Sequence, residues 1–131
     1  MEDTFKLEII SPEKVIFSGT ANMITFPAYE GDMSVLKNHI SLITFLKPGI
    51  IKVQKKEGNI EEFFVKDGTV EFFDNNLVIL SSSAENIKDL SKNFLDNLKK
   101  EIQDQLLNKD ISDQDRYILN HKLDTIREIP I

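Results

Sequence analysis

The chain has no cysteine, no apolar run near the ~20 residues a membrane helix needs, and no surplus of positive charge. The missing cysteine excludes disulfides and thiol chemistry and fits a reducing compartment. With two histidines, His39 and His121, far apart in sequence, no metal site is expected. No serine stands in a Gly-x-Ser-x-Gly setting, and there is no glycine-rich phosphate loop. The formal net charge of −6 is carried by both parts of the chain. Up to Ala84 there are 12 acidic and 8 basic residues, and beyond it 10 and 8. A field of that sign repels nucleic acid and anionic membrane surfaces. Met1-Glu2-Asp3-Thr4 is acidic where a presequence would be basic, so a cytoplasmic protein is expected.

Glycine and proline are scarce in an informative way. From Thr69 to Ile129 there is neither, while all five glycines fall in the first 68 residues, as do six of the nine phenylalanines. The first part therefore reads as a turn-rich sheet and the tail as helical. At 131 residues the chain is one domain plus an appendage, large enough to bury a real core.

Phe5, Leu7 and Ile9 alternate with charged residues, predicting a half-buried first strand turned by Ser11-Pro12-Glu13. Val15 to Phe17, ended by Ser18-Gly19, and Met23 to Phe26, stopped by Pro27, predict the next two. Leu42 to Phe45 reads as a short buried strand. Lys47-Pro48-Gly49 is a turn in which glycine tolerates positive φ. Ile51 to Lys55 and Ile60 to Val65 flank the hairpin turn Glu57-Gly58-Asn59. Val70 to Phe73 and Leu77 to Leu80 flank Asp74-Asn75-Asn76, which suits a tight turn. Eight to ten such strands, antiparallel in style, predict a β-sandwich over residues 1–84. Between two strand-like segments the polar loop Lys37-Asn38-His39 offers a surface to a partner. Of Phe63-Phe64 and Phe72-Phe73, one ring in each pair must face outward if the strands alternate. Two outward aromatics would mark an interface.

In the tail, Ile87, Leu90, Phe94, Leu98, Ile102 and Leu106 recur at helical steps, widened by Leu95 and Leu107. Asn108-Lys109-Asp110 interrupts. Ser112 with Asp115 resembles a capping box, and Leu119, Leu123 and Ile126 form the stripe of a second helix that Pro130 cannot continue. An antiparallel helical hairpin over 85–131 follows, its stripes covered by each other, by the sandwich or by a partner. Ser81-Ser82-Ser83-Ala84 is the candidate hinge. The fold class expected is α+β, an antiparallel sandwich followed by a two-helix hairpin.

Glu30-Gly31-Asp32, Val35-Leu36, His39, Leu42 and Leu46-Lys47-Pro48-Gly49-Ile50 together resemble the signature of one family. It is the epsilon subunit of bacterial F-type ATP synthase, the counterpart of the mitochondrial delta subunit. Ser11-Pro12-Glu13, Phe17-Ser18-Gly19, the strand from Leu77 and the helical tail extend the likeness over nearly the whole chain. Ile40-Ser41 stands where the family usually has Ala-Pro.

The resemblance implies a non-catalytic rotor subunit, peripheral on the cytoplasmic face of the bacterial inner membrane and not inserted into it. It couples the gamma subunit and the membrane c-ring to rotary ATP synthesis. By position, Glu30, Gly31 and Asp32 would contact the c-ring, and Ser11 and His39 the gamma subunit. The hairpin would act as a conditional brake on ATP hydrolysis, extending toward the alpha and beta subunits and using Arg116, Lys122 and Arg127 as its cations. An isolated chain is expected to keep the hairpin folded down. Some members bind ATP through Ile/Leu-Asp-x-x-Arg. Here the Asp and Arg positions hold Lys88 and Ser91, or Ser91 and Phe94, and alignment on Asp89 leaves Lys92, which lacks the planar fork of arginine. No cofactor, and no tight ATP binding, is expected. The alternative is a non-catalytic sandwich adaptor with an unrelated protein partner.

Overall fold

The computed structural model describes residues 3–56 and 58–129. The expected stop at Pro130 and the first residue of the Glu57-Gly58-Asn59 turn lie outside them. Strand β1 (Phe5–Ile10) follows its alternation, burying Phe5, Leu7 and Ile9 and exposing Lys6 and Glu8. Then come β2 (Val15–Ala21), β3 (Met23–Ala28), β4 (Gly31–Leu36), β5 (Leu42–Leu46), β6 (Gly49–Gln54), β7 (Ile60–Val65), β8 (Gly68–Phe73), β9 (Asn76–Leu80) and β10 (Glu85–Asn86). The sheet thus takes in two residues past Ala84.

Pairing forms one path that folds over on itself. One half runs β4-β3-β6-β7-β10 and the other β5-β8-β9-β1-β2. They meet where β3 and β5 share a single pair, Ala28 with Leu46. The core lies between the halves, and includes Phe5, Phe26, Phe63 and Phe72 with Leu7, Ile9, Ile24, Ile51 and Ile79. One pairing departs from the antiparallel expectation: β1 lies parallel to β9.

Four local expectations are corrected. Ser18-Gly19 does not end β2, because both residues pair with β1, at Glu8 and Leu7. Pro27 does not stop β3. It lies beyond Thr25↔Lys52, the last β3–β6 pair, so its missing N–H breaks no ladder there. Leu42 to Phe45 is not buried throughout. Thr44 turns inward, while Ile43 and Phe45 point to solvent. Gly49 is not among the glycines with positive φ. A Cβ there would sit 2.6 Å from two ring carbons of Pro27, so a close approach of strand and proline demands the glycine.

Helix α1 (Lys92–Leu106) starts later than its apolar period suggests. Ile87–Asp89 forms a single 3-10 turn, Leu90 is extended (φ −83°, ψ 133°), and Ser91 caps α1 by accepting from the Phe94 N–H. Phe94 and Leu107 consequently fall off the buried stripe, which is Leu95, Leu98 and Ile102. Helix α2 (Asp113–Glu128) begins at Ser112, whose Oγ accepts from the Asp115 N–H at 3.1 Å, and buries Leu119, Leu123 and Ile126.

The hairpin is folded down. Phe64 on β7, with Ile50 on β6 beside it, points away from the sandwich core into the cluster formed by the two helical stripes and Leu90. Ser81–Ala84 is no free hinge. Ser81 is buried and its Oγ donates to the Asp67 carbonyl at 2.7 Å, while the Ser83 Oγ accepts from the Lys66 N–H at 2.9 Å. The segment that leaves the sheet is Leu90-Ser91.

Candidate functional site

The sandwich has two outer faces with different fates. The face of β6 and β7 lies under the hairpin. The outer face of β5-β8-β9-β1-β2 is left uncovered by the described residues. Register fixes what it presents. Across one row lie Ile43, Glu71, Val78, Glu8 and Ser18. The next row holds Phe45, Thr69, Leu80, Ile10 and Val15. Phe73 pairs with Asn76 beyond them. Ile43 is 73% exposed, Phe73 65% and Phe45 59%, with Leu80 and Val15 also open. Scattered exposed apolar residues are ordinary, but this many gathered on one sheet face, interleaved with Glu71, Glu8, Ser18 and Thr69, make it the candidate interaction face.

Each phenylalanine pair splits as alternation requires. Phe63 and Phe72 enter the core, Phe64 turns out under the hairpin, and Phe73 turns out onto the open face. Ile43, Phe45 and Leu80 are surface residues that the sequence does not mark: alternation about the polar Thr44 would turn its hydroxyl outward and its apolar neighbours inward, the reverse of what is seen.

Ser11 and His39 lie at opposite ends of this face. Ser11 follows Ile10 and is buried. Its Oγ donates to the Lys14 carbonyl at 3.1 Å and accepts the Lys14 N–H at 3.2 Å, so the hydroxyl is spent on its own turn. His39 precedes β5 and is half-buried. Its ring lies T-shaped to that of Phe72, with centroids 6.0 Å apart, and its Nδ1 lies 2.7 Å from the Ile40 carbonyl.

Glu30, Gly31 and Asp32 form and follow the β3–β4 turn, where Ala28 pairs with Gly31 and Gly31 takes φ +128°. The two carboxylates part company. Glu30 accepts the Thr44 hydroxyl at 3.0 Å, at the edge of the open-face half. Asp32 lines a cleft of about 550 Å³ between the sandwich and α2, with Lys47, Lys52, Glu62, His121 and Asp124 among its walls. Among the described residues no cluster of His, Cys, Asp or Glu could hold a metal ion. No helix among them is long and apolar enough to cross a membrane.

The three hairpin cations are not gathered into one patch. Arg116 Nη1 donates to the Leu106 carbonyl at 3.1 Å, capping the C-terminal end of α1. Lys122 lines a groove between the helices. Arg127 is exposed, 3.9 Å from Asp124.

Residues 4–87 match the family described as the beta-sandwich domain of the ATP synthase delta/epsilon chain. The ATP synthase epsilon chain of Pelagibacter ubique is 43% identical over 98% of this chain and 99% of its own length. That of Clostridium botulinum (strain Langeland) is 33% identical, covering 83% of this chain and 82% of its own. In fold, the chain is similar to one in the Euglena gracilis mitochondrial ATP synthase OSCP/F1/c-ring structure. The TM-score is 0.75 at 19% identity, covering 97% of this chain and 79% of that one. A chain in the Tetrahymena thermophila mitochondrial ATP synthase central stalk/c-ring structure gives 0.54 at 17% identity, covering 93% and 90%. With its sandwich matched to the family and its whole length aligned to a curated relative, the chain belongs to the ATP synthase epsilon chain family.

Proposed function

We propose that the chain is a rotor subunit of the central stalk of an F-type ATP synthase, seated on the gamma subunit through the open face of β5-β8-β9-β1-β2. The observation that supports this reading is that face: an apolar surface left bare in a chain of this family. A stiff sandwich that presents a bare sheet to a partner transmits torque by being buried against it. The turn at Glu30-Gly31-Asp32 is read as the contact with polar loops of the c-ring. Its two carboxylates are turned to different neighbours, so each meets the ring separately. The subunit would be peripheral, on the cytoplasmic side of the bacterial membrane.

The hairpin is read as a conditional brake. Its stripes are covered by Phe64 and Ile50 in the folded-down state, and extension along the stalk toward alpha and beta would trade that cover for another. The test is ATP hydrolysis by the reconstituted soluble catalytic complex with the full chain or a chain ended after Asp89. That end point keeps all ten strands and removes both helices. Faster hydrolysis by several-fold with the short form, both forms bound, is expected. Equal rates would leave the hairpin a structural prop, and failure of both forms to bind would overturn the stalk assignment.

The reading includes no nucleotide on the hairpin. The registers set by Ile87 and Leu90 put Lys88 and Ser91, or Ser91 and Phe94, at the Asp and Arg positions, and alignment on Asp89 leaves Lys92 in place of the guanidinium. Calorimetry of the isolated chain with ATP is expected to give no saturable submillimolar binding, and a measurable isotherm in that range would contradict it.

A further inference from the structure

The loop that borders the open face is held by a pair of asparagines far apart in sequence. Asn38 and Asn75 both take left-handed backbone, φ 67° and 59°. Asparagine tolerates this region better than other side-chain-bearing residues, but glycine enters it with less strain. Here the side chains have a use. The Asn38 N–H donates to Asn75 Oδ1 at 2.7 Å, and Asn75 Nδ2 donates back to Asn38 Oδ1 at 3.0 Å. Asn75 is itself fixed, because its carbonyl accepts the Lys6 N–H at 3.0 Å, tying the β8–β9 turn to β1. Asn38 is the held partner, in a turn closed by the His39 N–H on the Leu36 carbonyl. Directly after it come His39, edge-on to Phe72, and Ile40, which is 79% exposed.

We propose that Asn38 and Asn75 are positioning residues for partner binding. Their reciprocal amide bonds hold the His39-Ile40 loop as a preformed rim of the open face, so that the partner need not order it. The proposal rests on the reading of that face as the gamma contact. Without the clamp, the four loop residues Lys37 to Ile40 would be ordered at the moment of association, which weakens binding without removing any contact.

Glycine is the informative replacement at both sites, since it enters the left-handed region without strain and removes the side-chain amide. The variants are Asn38→Gly, Asn75→Gly and the pair together. In the isolated chain, hydrogen exchange of the 38–40 amides read by NMR is expected to speed at least tenfold in each variant, with the melting temperature little changed. Affinity for gamma is expected to fall about three- to tenfold. Asn75→Gly removes both bonds, whereas Asn38→Gly removes only the Nδ2–Oδ1 bond and keeps the backbone donor, so the double variant should be no worse than Asn75→Gly alone. Unchanged exchange, unchanged affinity, or fully additive losses would each overturn the clamp. A wild-type chain that fails to bind gamma overturns the reading of the face instead, and the partner half of this proposal with it.

Discussion

Replacing Phe64 with alanine is expected to release the hairpin while leaving the sandwich folded. The ring is 1% exposed, yet it belongs to the hairpin cluster and not to the sandwich core. Truncating a buried phenylalanine costs about 3–5 kcal/mol. Most of that cost should fall on the docking of α1 and α2, because Leu95, Leu98, Ile102, Leu123 and Ile126 lose the one aromatic surface the sheet offers them. Limited proteolysis within 91–112 should then accelerate about a hundredfold or more, as local opening comes within reach of the protease. Amide protection of β1, β8 and β9 should persist. Equal loss of protection in both parts would mean that sheet and hairpin unfold as one unit, and unaltered cleavage would mean that the helices hold each other without the sheet.

Replacing Phe45 with glutamate is expected to abolish most of the affinity for gamma without unfolding the chain. Phe45 stands at the β5 end of its row on the open face, pointing to solvent opposite Thr69. Large aromatic anchors that become buried in an interface typically contribute about 2 kcal/mol or more, so a loss of about thirtyfold or greater is expected. The carboxylate adds desolvation to the lost contact. Since the side chain is exposed in the free protein, stability should change by no more than about 1 kcal/mol. Ile60→Glu is the control. Ile60 is equally open but lies at the start of β7, on the other half of the sheet. Titration calorimetry with purified gamma separates the two. Equal losses would point to a general charge effect, and no loss from Phe45→Glu would move the contact elsewhere.

Much of this architecture is legible in the residues, and the failures share a cause. Period-2 alternation placed Phe5, Leu7 and Ile9 correctly because Lys6 and Glu8 mark the other face. In Leu42-Ile43-Thr44-Phe45-Leu46 nothing charged marks a face, so a strand that is half open reads as buried. The same ambiguity extended α1 back to Ile87. Ile87, Leu90 and Leu95 all enter or pack against one cluster, but the first two reach it from a 3-10 turn and an extended residue. Burial alone does not distinguish these from a helix, whereas the cap at Ser91 does. Residues recognised by family likeness, such as Ser11 and Glu30, carry no physical signal of their local bonds. Ser11 closes its own turn and Glu30 leans on Thr44 through contacts that sequence spacing cannot foresee. The Asn38–Asn75 pair joins residues 37 positions apart and depends on two left-handed turns meeting in space.

The two apolar outer faces lie on opposite sides of one closed core. A partner seated on the open face covers none of the residues that the hairpin uses, and a departing hairpin uncovers Phe64 and Ile50 on the far side. Mounting and release are therefore separate equilibria with little coupling free energy between them. On the proposed reading, the subunit would remain fastened to the rotor while its lever moves, so that the setting of the lever would be chosen by what it meets above without loosening the grip below.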